Sequence, residues 1–345
     1  MKKDIRLLSH EDLQTEILAL GEKAFRAKQV YEWLWKKGAT DFNLMTNLSV
    51  EFREKLKTHF EMNSITFDKH QISKDGTIKY RFTLHDGHKI ESVLIPVHKD
   101  NRYTVCVSSQ VGCSLACKFC ATGQMERMRN LDPGEIYDQV AMVSAHCTEL
   151  YEHGITNIVY MGMGEPLLNY KNTLQSIRLI TSDKGLAMSP RRITISTVGI
   201  AKMILKLCQE DLKVNLALSL HAADDTKRSE IMPINHQNDL ASLMEALKVF
   251  FQTTNNRISY EYIAFRDFND SIKDAEKLVK LCSHFPVRVN IIEYNPVAGV
   301  TYTKASEDKI NKFAQHLTKK GIIVTVRRSR GKDIDAACGQ LANKD

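Results

Sequence analysis

From about residue 105 onward the chain alternates short β-branched runs with helix-length amphipathic stretches, and no other feature limits its available folds as much. The strand-like runs are 105–107, 158–161, 193–196, 216–220, 260–264, 289–293 and 322–326. Regular βα alternation predicts a parallel sheet, open or closed into a barrel. Polar and glycine-rich clusters directly after the strands decide for barrel-like architecture: Gly162-Met-Gly-Glu165-Pro166, Ser196-Thr-Val-Gly199, Ser219-Leu-His221 and Asn295-Pro296. In βα barrels the loops at the carboxyl ends of the strands build the active site.

The portion ahead of this alternation reads differently. Leu13, Ile17 and Leu18 before Gly21, then Phe25, Val30, Tyr31, Trp33 and Leu34 before Gly38, predict two helices, and Ser49 is placed to cap a third. Lys23, Arg26, Lys28, Lys36 and Lys37 beside these aromatics fit a solvated basic face and a nucleic-acid contact equally well. Over residues 65–97 the apolar period shortens towards two, with Asp75-Gly76 and Asp86-Gly87 as turns. The expected organisation is therefore a helical accessory domain over 1–62, a β-rich connection over 63–98 and a core over 99–345. Lys and Arg outnumber Asp and Glu to give +7, which favours an anionic partner without naming one. Asp4, Arg6, His10, Glu11 and Asp12 interrupt any apolar leader, and no run is suited to a membrane span. Eight cysteines without a leader point to a reducing, cytoplasmic compartment. Cys147, Cys208 and Cys282 fall in helical patterns as small hydrophobes.

The chemistry concentrates in Cys113-Ser-Leu-Ala-Cys117-Lys-Phe-Cys120, three thiols in eight residues with no fourth nearby. An iron-sulfur cluster normally takes four cysteines, so three would leave one iron open to a substrate or cofactor. A structural zinc site, which closes with four ligands, is the alternative at this point. Behind one strand, Gly162 and Gly164 would let backbone approach a ligand, while Glu165 could receive a ligand amine. Ser196, Ser219, His221 and Asn295 share the strand-end position and could orient the same ligand or simply cap loops. In the carboxy-terminal segment, Cys338 lies between two alanines and a glycine after Arg327, Arg328, Arg330 and Lys332. Folded over a barrel mouth, it would face the cysteine triplet, with basic groups beside it to favour thiolate.

Together these motifs resemble a known family. CxxxCxxC after the first barrel strand is similar to radical S-adenosylmethionine enzymes. Cys106-Val-Ser-Ser-Gln-Val-Gly-Cys113, Lys118-Phe-Cys-Ala-Thr-Gly123, Met161-Gly-Met-Gly-Glu-Pro166, Ser189-Pro-Arg-Arg-Ile-Thr-Ile-Ser196, Ser219-Leu-His-Ala222 and Asp333-Ile-Asp-Ala-Ala-Cys-Gly-Gln340 resemble, in order, the RlmN/Cfr family of RNA adenosine methyltransferases. The resemblance runs from about Glu91 to Leu341 and makes zinc the weaker alternative. It implies an α/β partial barrel of the radical S-adenosylmethionine type with a small helical accessory domain. It implies one [4Fe-4S] cluster on Cys113, Cys117 and Cys120, and two S-adenosylmethionine molecules per methylation, contacted by Gly164, Glu165, Ser196, Ser219, Leu220, His221 and Asn295. It implies that Cys338 accepts a methyl group, that a radical formed from that methyl adds to adenine C2, and that Cys106 releases the product through a transient disulfide with Cys338. Glu91 matches the family's proton acceptor, a role the Cys106 thiolate could also fill. The implied partners are 23S rRNA, tRNA and an electron donor such as flavodoxin, acting on a monomer. Arg127, Arg129, Arg327, Arg328 and Arg330 are positional candidates for phosphate contacts. Glu165-Pro-Leu-Leu-Asn169 and His221-Ala-Ala-Asp-Asp225 look more like the C2-methylating branch than the C8 branch.

Overall fold

The protein is described here by a computed structural model covering residues 2–344; the two end residues of the ranges expected above lie outside the described residues. Three helices come first: α1 (His10–Ala19), α2 (Phe25–Trp35) and α3 (Val50–His59). Ser9 and Ser49 cap α1 and α3 by accepting the backbone N–H of Asp12 and Phe52, as the Ser49 signal predicts. A two-residue parallel pair, β1 (Lys3–Asp4) with β2 (Phe60–Glu61), ties the ends of this unit together.

Strands β3 (Thr66–Ile72), β4 (Ile78–Thr83) and β5 (Lys89–Val97) form an antiparallel meander. Its two turns fall at Asp75-Gly76 and Asp86-Gly87, where the glycines adopt φ +83° and +82°. Next come β6 (Arg102–Cys106) and the short antiparallel pair β7 (Gln110–Val111) and β8 (Arg129–Asn130). Then follow α4 (Pro133–Tyr151), β9 (Asn157–Tyr160), α5 (Tyr170–Thr181), β10 (Ile193–Thr197), α6 (Ala201–Leu207) and β11 (Asn215–Ser219). The chain continues through α7 (Asp225–Ile231), α8 (Leu240–Thr254), β12 (Ile258–Ala264), α9 (Ile272–Cys282), β13 (Val287–Glu293), α10 (Glu307–Lys319) and β14 (Ile323–Arg327).

These strands form one ten-stranded sheet in the order β14-β13-β12-β11-β10-β9-β6-β5-β4-β3. The run from β6 to β14 is parallel throughout, so all its carboxyl ends lie on one side. The sheet does not close, and β14 and β3 are its edges. Residues 63–98 are thus an extension of the barrel sheet, because β5 pairs antiparallel with β6 from Val93↔Cys106 to Val97↔Arg102. One apolar core runs through the helices, the meander and the barrel. The amino-terminal unit is docked on α4 by Arg6, whose buried guanidinium meets Asp138 at 2.5 and 2.6 Å and lies over the Trp35 ring. Tyr137 of α4 donates to the Trp35 carbonyl in the same contact. Arg6 lies outside every sequence motif, so this docking is not legible from the chain alone. No helix among the described residues is long and apolar enough to cross a membrane.

Candidate functional site

The cysteine triplet occupies the loop closed by β7 and β8. Gly112 opens that loop at φ +73°, and a Cβ there would sit 1.9 Å from the Glu126 carbonyl oxygen, so only glycine fits. Backbone bonds shape the rest: Cys120 N–H donates to the Cys117 carbonyl (3.1 Å), Lys118 N–H to Ile231 of α7 (3.0 Å), and Ala121 N–H to Gly339 (2.7 Å). Burial pushes the Cys113 thiol up to about 11 and Cys117 well above its ordinary range, and Cys117 is close enough to be affected by both other thiols. Burial also raises Cys120. The ligand-free triplet is therefore protonated at neutral pH, and a bound metal would displace protons.

Glu165 follows β9 and is 2 % exposed. Its Oε2 accepts from the Val198 N–H (2.9 Å) and its Oε1 from the Leu167 N–H (3.0 Å), while its own N–H donates to Gln110 (2.8 Å). Burial outweighs these bonds and pushes the carboxyl up to about 7. The two glycines before it also meet a packing demand within the protein. A Cβ on Gly162 would lie 2.7 Å from the Val107 carbonyl oxygen, and one on Gly164 would lie 2.5 Å from Gln110 Cβ. They let the Glu165 loop pack on the chain just before the cysteine loop.

Ser196 and Ser219 end adjacent strands with their hydroxyls 3.5 Å apart. Leu220 is fully buried, and His221 takes φ +55°. The His221 Nδ1 accepts from the Ile263 N–H (3.1 Å), which leaves the ring proton on Nε2, and burial, helped by Arg228, lowers its pKa to about 3. The ring meets Phe119 of the cysteine loop edge-on at 4.7 Å. A neutral imidazole thus buttresses the loop. Arg228 of α7 carries no sequence signal, yet it is fully buried and ties two strand ends, those of β10 and β11, to the turn after α7. It donates to Leu220 O (3.2 Å), Ser219 O (3.4 Å), the Val198 carbonyl and Asn235 Oδ1 (2.6 Å). Burial lowers its pKa to about 10, and the nearby Cys117 acts in the opposite direction. A cation that makes no direct ion pair among the described residues, with Asp225 in electrostatic range, is placed beside this thiol to favour its thiolate form.

The carboxy-terminal loop closes the site. Besides the Ala121 bond to Gly339, Thr122 Oγ1 donates to Leu341 O (2.6 Å), Asn295 Nδ2 to Cys338 O (3.3 Å) and Gln340 Nε2 to Pro296 O (3.3 Å). Asn295 therefore meets the backbone of Cys338 itself. Glu91, 1 % exposed on β5, accepts the N–H groups of Ala342 (2.9 Å) and Asn343 (3.1 Å) and faces Lys79 at 3.4 Å. Cys338 is exposed at this mouth, yet the surrounding protein pushes its thiol up to about 12, with Cys120 and Glu261 adding to the rise and Arg327 alone opposing it. Cys106, at the end of β6, is also pushed up to about 12, by burial and then by Cys338. All eight cysteines are free.

Of the basic residues expected to favour the Cys338 thiolate, Arg327 is in range to act on it and the other three are committed elsewhere. Arg328 and Lys332 pair with Glu293 at 2.7 and 2.8 Å, and Arg330 donates to the Asp75 carbonyl. Arg129, a positional candidate for phosphate, is locked bidentately on Glu135 at 2.8 Å and on Asp86. Arg127 remains exposed and, among the described residues, is bonded to Asn130 alone (3.2 Å).

The donor set fits a thiolate-held cluster with an amine-bearing ligand: three thiols on one short loop, and a buried carboxyl near neutrality that lacks a cationic partner. Residues 4–62 match the ribosomal RNA large subunit methyltransferase N-terminal domain, and residues 107–282 match the radical SAM superfamily. A "probable dual-specificity RNA methyltransferase RlmN" of Cytophaga hutchinsonii is 55% identical over 344 residues, covering 100% of this chain and 94% of the relative. The "dual-specificity RNA methyltransferase RlmN" of Campylobacter lari is 44% identical, covering 95% of each. A radical SAM methyltransferase of known structure from Sphaerobacter thermophilus superposes with a TM-score of 0.92 at 38% identity, over 98% of this chain and 99% of that one.

Proposed function

This chain belongs to the RlmN family of radical SAM RNA methyltransferases, and from that premise we propose that it methylates C2 of an adenosine in the peptidyl-transferase region of 23S rRNA and C2 of the adenosine 3′ of the tRNA anticodon. The observation that carries this reading is the clamp of the 338–343 loop on the cysteine loop and β5, which brings Cys338 into electrostatic range of both Cys106 and Cys120. A generic radical enzyme has no use for that arrangement.

When bound on Cys113, Cys117 and Cys120, the cluster with S-adenosylmethionine supplies transferable methyl groups and a 5′-deoxyadenosyl radical. Glu165 holds the ligand's ammonium: a carboxyl near pKa 7 ionises fully once a cation sits against it. Ser196, Ser219 and Asn295 line the same mouth, Gly164 and Leu220 shape it, and His221 keeps the loop in place. Cys338 is the methyl acceptor. A thiol near pKa 12 needs a neighbouring positive charge to ionise, and the sulfonium that carries the methyl provides one. After the methylene carbon has been joined to C2 and an electron and the C2 proton have left, the Cys106 sulfur gives up its proton and attacks the Cys338 sulfur; a sulfur–sulfur bond forms as the carbon–sulfur bond breaks, and the electron pair of that bond stays with the adenine-bound carbon, which takes a proton to become the methyl group. An external one-electron donor such as flavodoxin then serves a cytoplasmic monomer. Residues 1–62 and the exposed Lys23, Lys28, Lys36 and Lys37 present an RNA contact, 63–98 connects, and 99–345 carries the chemistry.

The test is nucleoside mass spectrometry of 23S rRNA and tRNA treated with the cluster-loaded enzyme. 2-Methyladenosine made by the wild type and absent with Cys338→Ala is expected; 8-methyladenosine overturns the C2 assignment.

A further inference from the structure

The opposite end of the barrel holds a second feature that this chemistry does not use. A cavity of about 810 Å³ opens at the amino ends of strands β10 to β14. Strand β12 spans seven residues, which sets this end about 23 Å from the mouth where Cys338 lies. Arg191, Lys213, Arg257, Arg288 and Lys320 line the cavity, and no carboxylate does. Among the described residues none of these five side chains forms an ion pair or hydrogen bond, whereas Arg129, Lys309 and Arg328 all reach carboxylates.

Arg288 is directed into the barrel. Tyr260 and Tyr262 of β12 pack outward on Phe285 and Phe313, so Ser259 and Glu261 face inward. In register, Arg288 pairs with Ser259 and Asn290 with Glu261, and the Asn290–Glu261 hydrogen bond of 2.7 Å lies on that inner face. The cavity therefore lies across the amino-end rim of the open barrel, with Arg288 on its inner side and Phe251 of the outer helical layer on the other, and its five cations are exposed. Its other walls are amides and apolar groups, among them Asn215, Asn256, Phe251 and Ile258. Cations at helix carboxyl ends can simply balance helix dipoles. Only Lys320 sits at such an end; Arg191, Lys213 and Arg257 lie in the turns leading into strands and Arg288 lies on one.

We propose that this lower cavity is a binding site for a nucleotide-sized polyanion, a nucleoside di- or triphosphate in chemical class, with its phosphates among the five cations and its base against the Phe251 wall. The volume lies within the range of small-molecule sites, and the cations that line it meet no carboxylate of the protein's own among the described residues. The site is separate from the methylation chemistry and does not depend on its reading.

The experiment is calorimetric titration of the cluster-loaded full chain, with saturating S-adenosylmethionine to occupy the upper mouth, using adenosine triphosphate, tripolyphosphate and orthophosphate. Wild type is expected to bind the triphosphates below about 1 mM at physiological salt, with the nucleotide tighter than tripolyphosphate. Arg257→Gln with Arg288→Gln is expected to weaken this at least about tenfold while S-adenosylmethionine cleavage is unchanged. No binding by any of the three, or binding that the double variant leaves intact, overturns the proposal. Binding of long RNA alone, lost in the variant and not displaced by adenosine triphosphate, overturns it in favour of an RNA surface.

Discussion

Glu165→Gln separates the energetic cost of the buried carboxyl from its use. In the ligand-free fold burial raises this group from 4.5 to about 7, so the folded state keeps a proton that the unfolded chain has lost. Stability therefore falls as pH rises from the unfolded value to the folded one and levels off above it. At about 1.4 kcal/mol per unit, the carboxyl costs about 3 kcal/mol at pH 8 and less than about 1 kcal/mol at pH 5. Glutamine removes this dependence. It also sets an amide N–H₂ against either the Leu167 or the Val198 N–H, a fixed loss of about 1–3 kcal/mol at every pH. The difference in unfolding free energy between variant and wild type should therefore shift by about 2.5 kcal/mol in the variant's favour from pH 5 to pH 8. Urea unfolding of the ligand-free chains at both pH values measures it, and the comparison cancels every other titrating group. A difference that stays constant across that range would refute the buried, proton-retaining carboxyl, and with it the argument that this group awaits a cation.

Arg228→Met fills similar space but leaves the Leu220 and Val198 carbonyls and Asn235 Oδ1 without their donor, and should cost about 3–5 kcal/mol in denaturant unfolding. A loss below about 1 kcal/mol would mean that the strand ends do not depend on it. Glu91→Gln retains an acceptor for the Ala342 and Asn343 amides while losing basicity. If anchoring the Cys338 loop is its main task, peptide mass spectrometry should find Cys338 methylated and RNA product still released; a trapped enzyme–RNA adduct would instead assign it the C2 proton. Glu91→Ala should free the tail and raise amide exchange at residues 342–343.

What the sequence discloses here divides along the range of the interactions. The parallel strands fall within about three residues of the β-branched runs, and the polar clusters do gather on one side, because period and turn chemistry are local properties that a linear pattern carries. The cysteine spacing is equally local. The function of a residue is less so when its partner is distant in the chain. That Gly162 and Gly164 are also demanded by close packing on Val107 and Gln110 is invisible in the linear pattern. Arg328 and Lys332 look like activators of Cys338 until Glu293, at the far end of β13, is seen to hold both. Arg6 and Arg228 carry no motif, since a buried guanidinium is recognisable only once the carbonyls and carboxylate around it are in place. Charge counted along the chain has the same weakness: the +7 total hides that many cations are neutralised in pairs. Where five remain unpaired around one cavity, the surplus becomes a local feature with a binding consequence, and only the fold places them together.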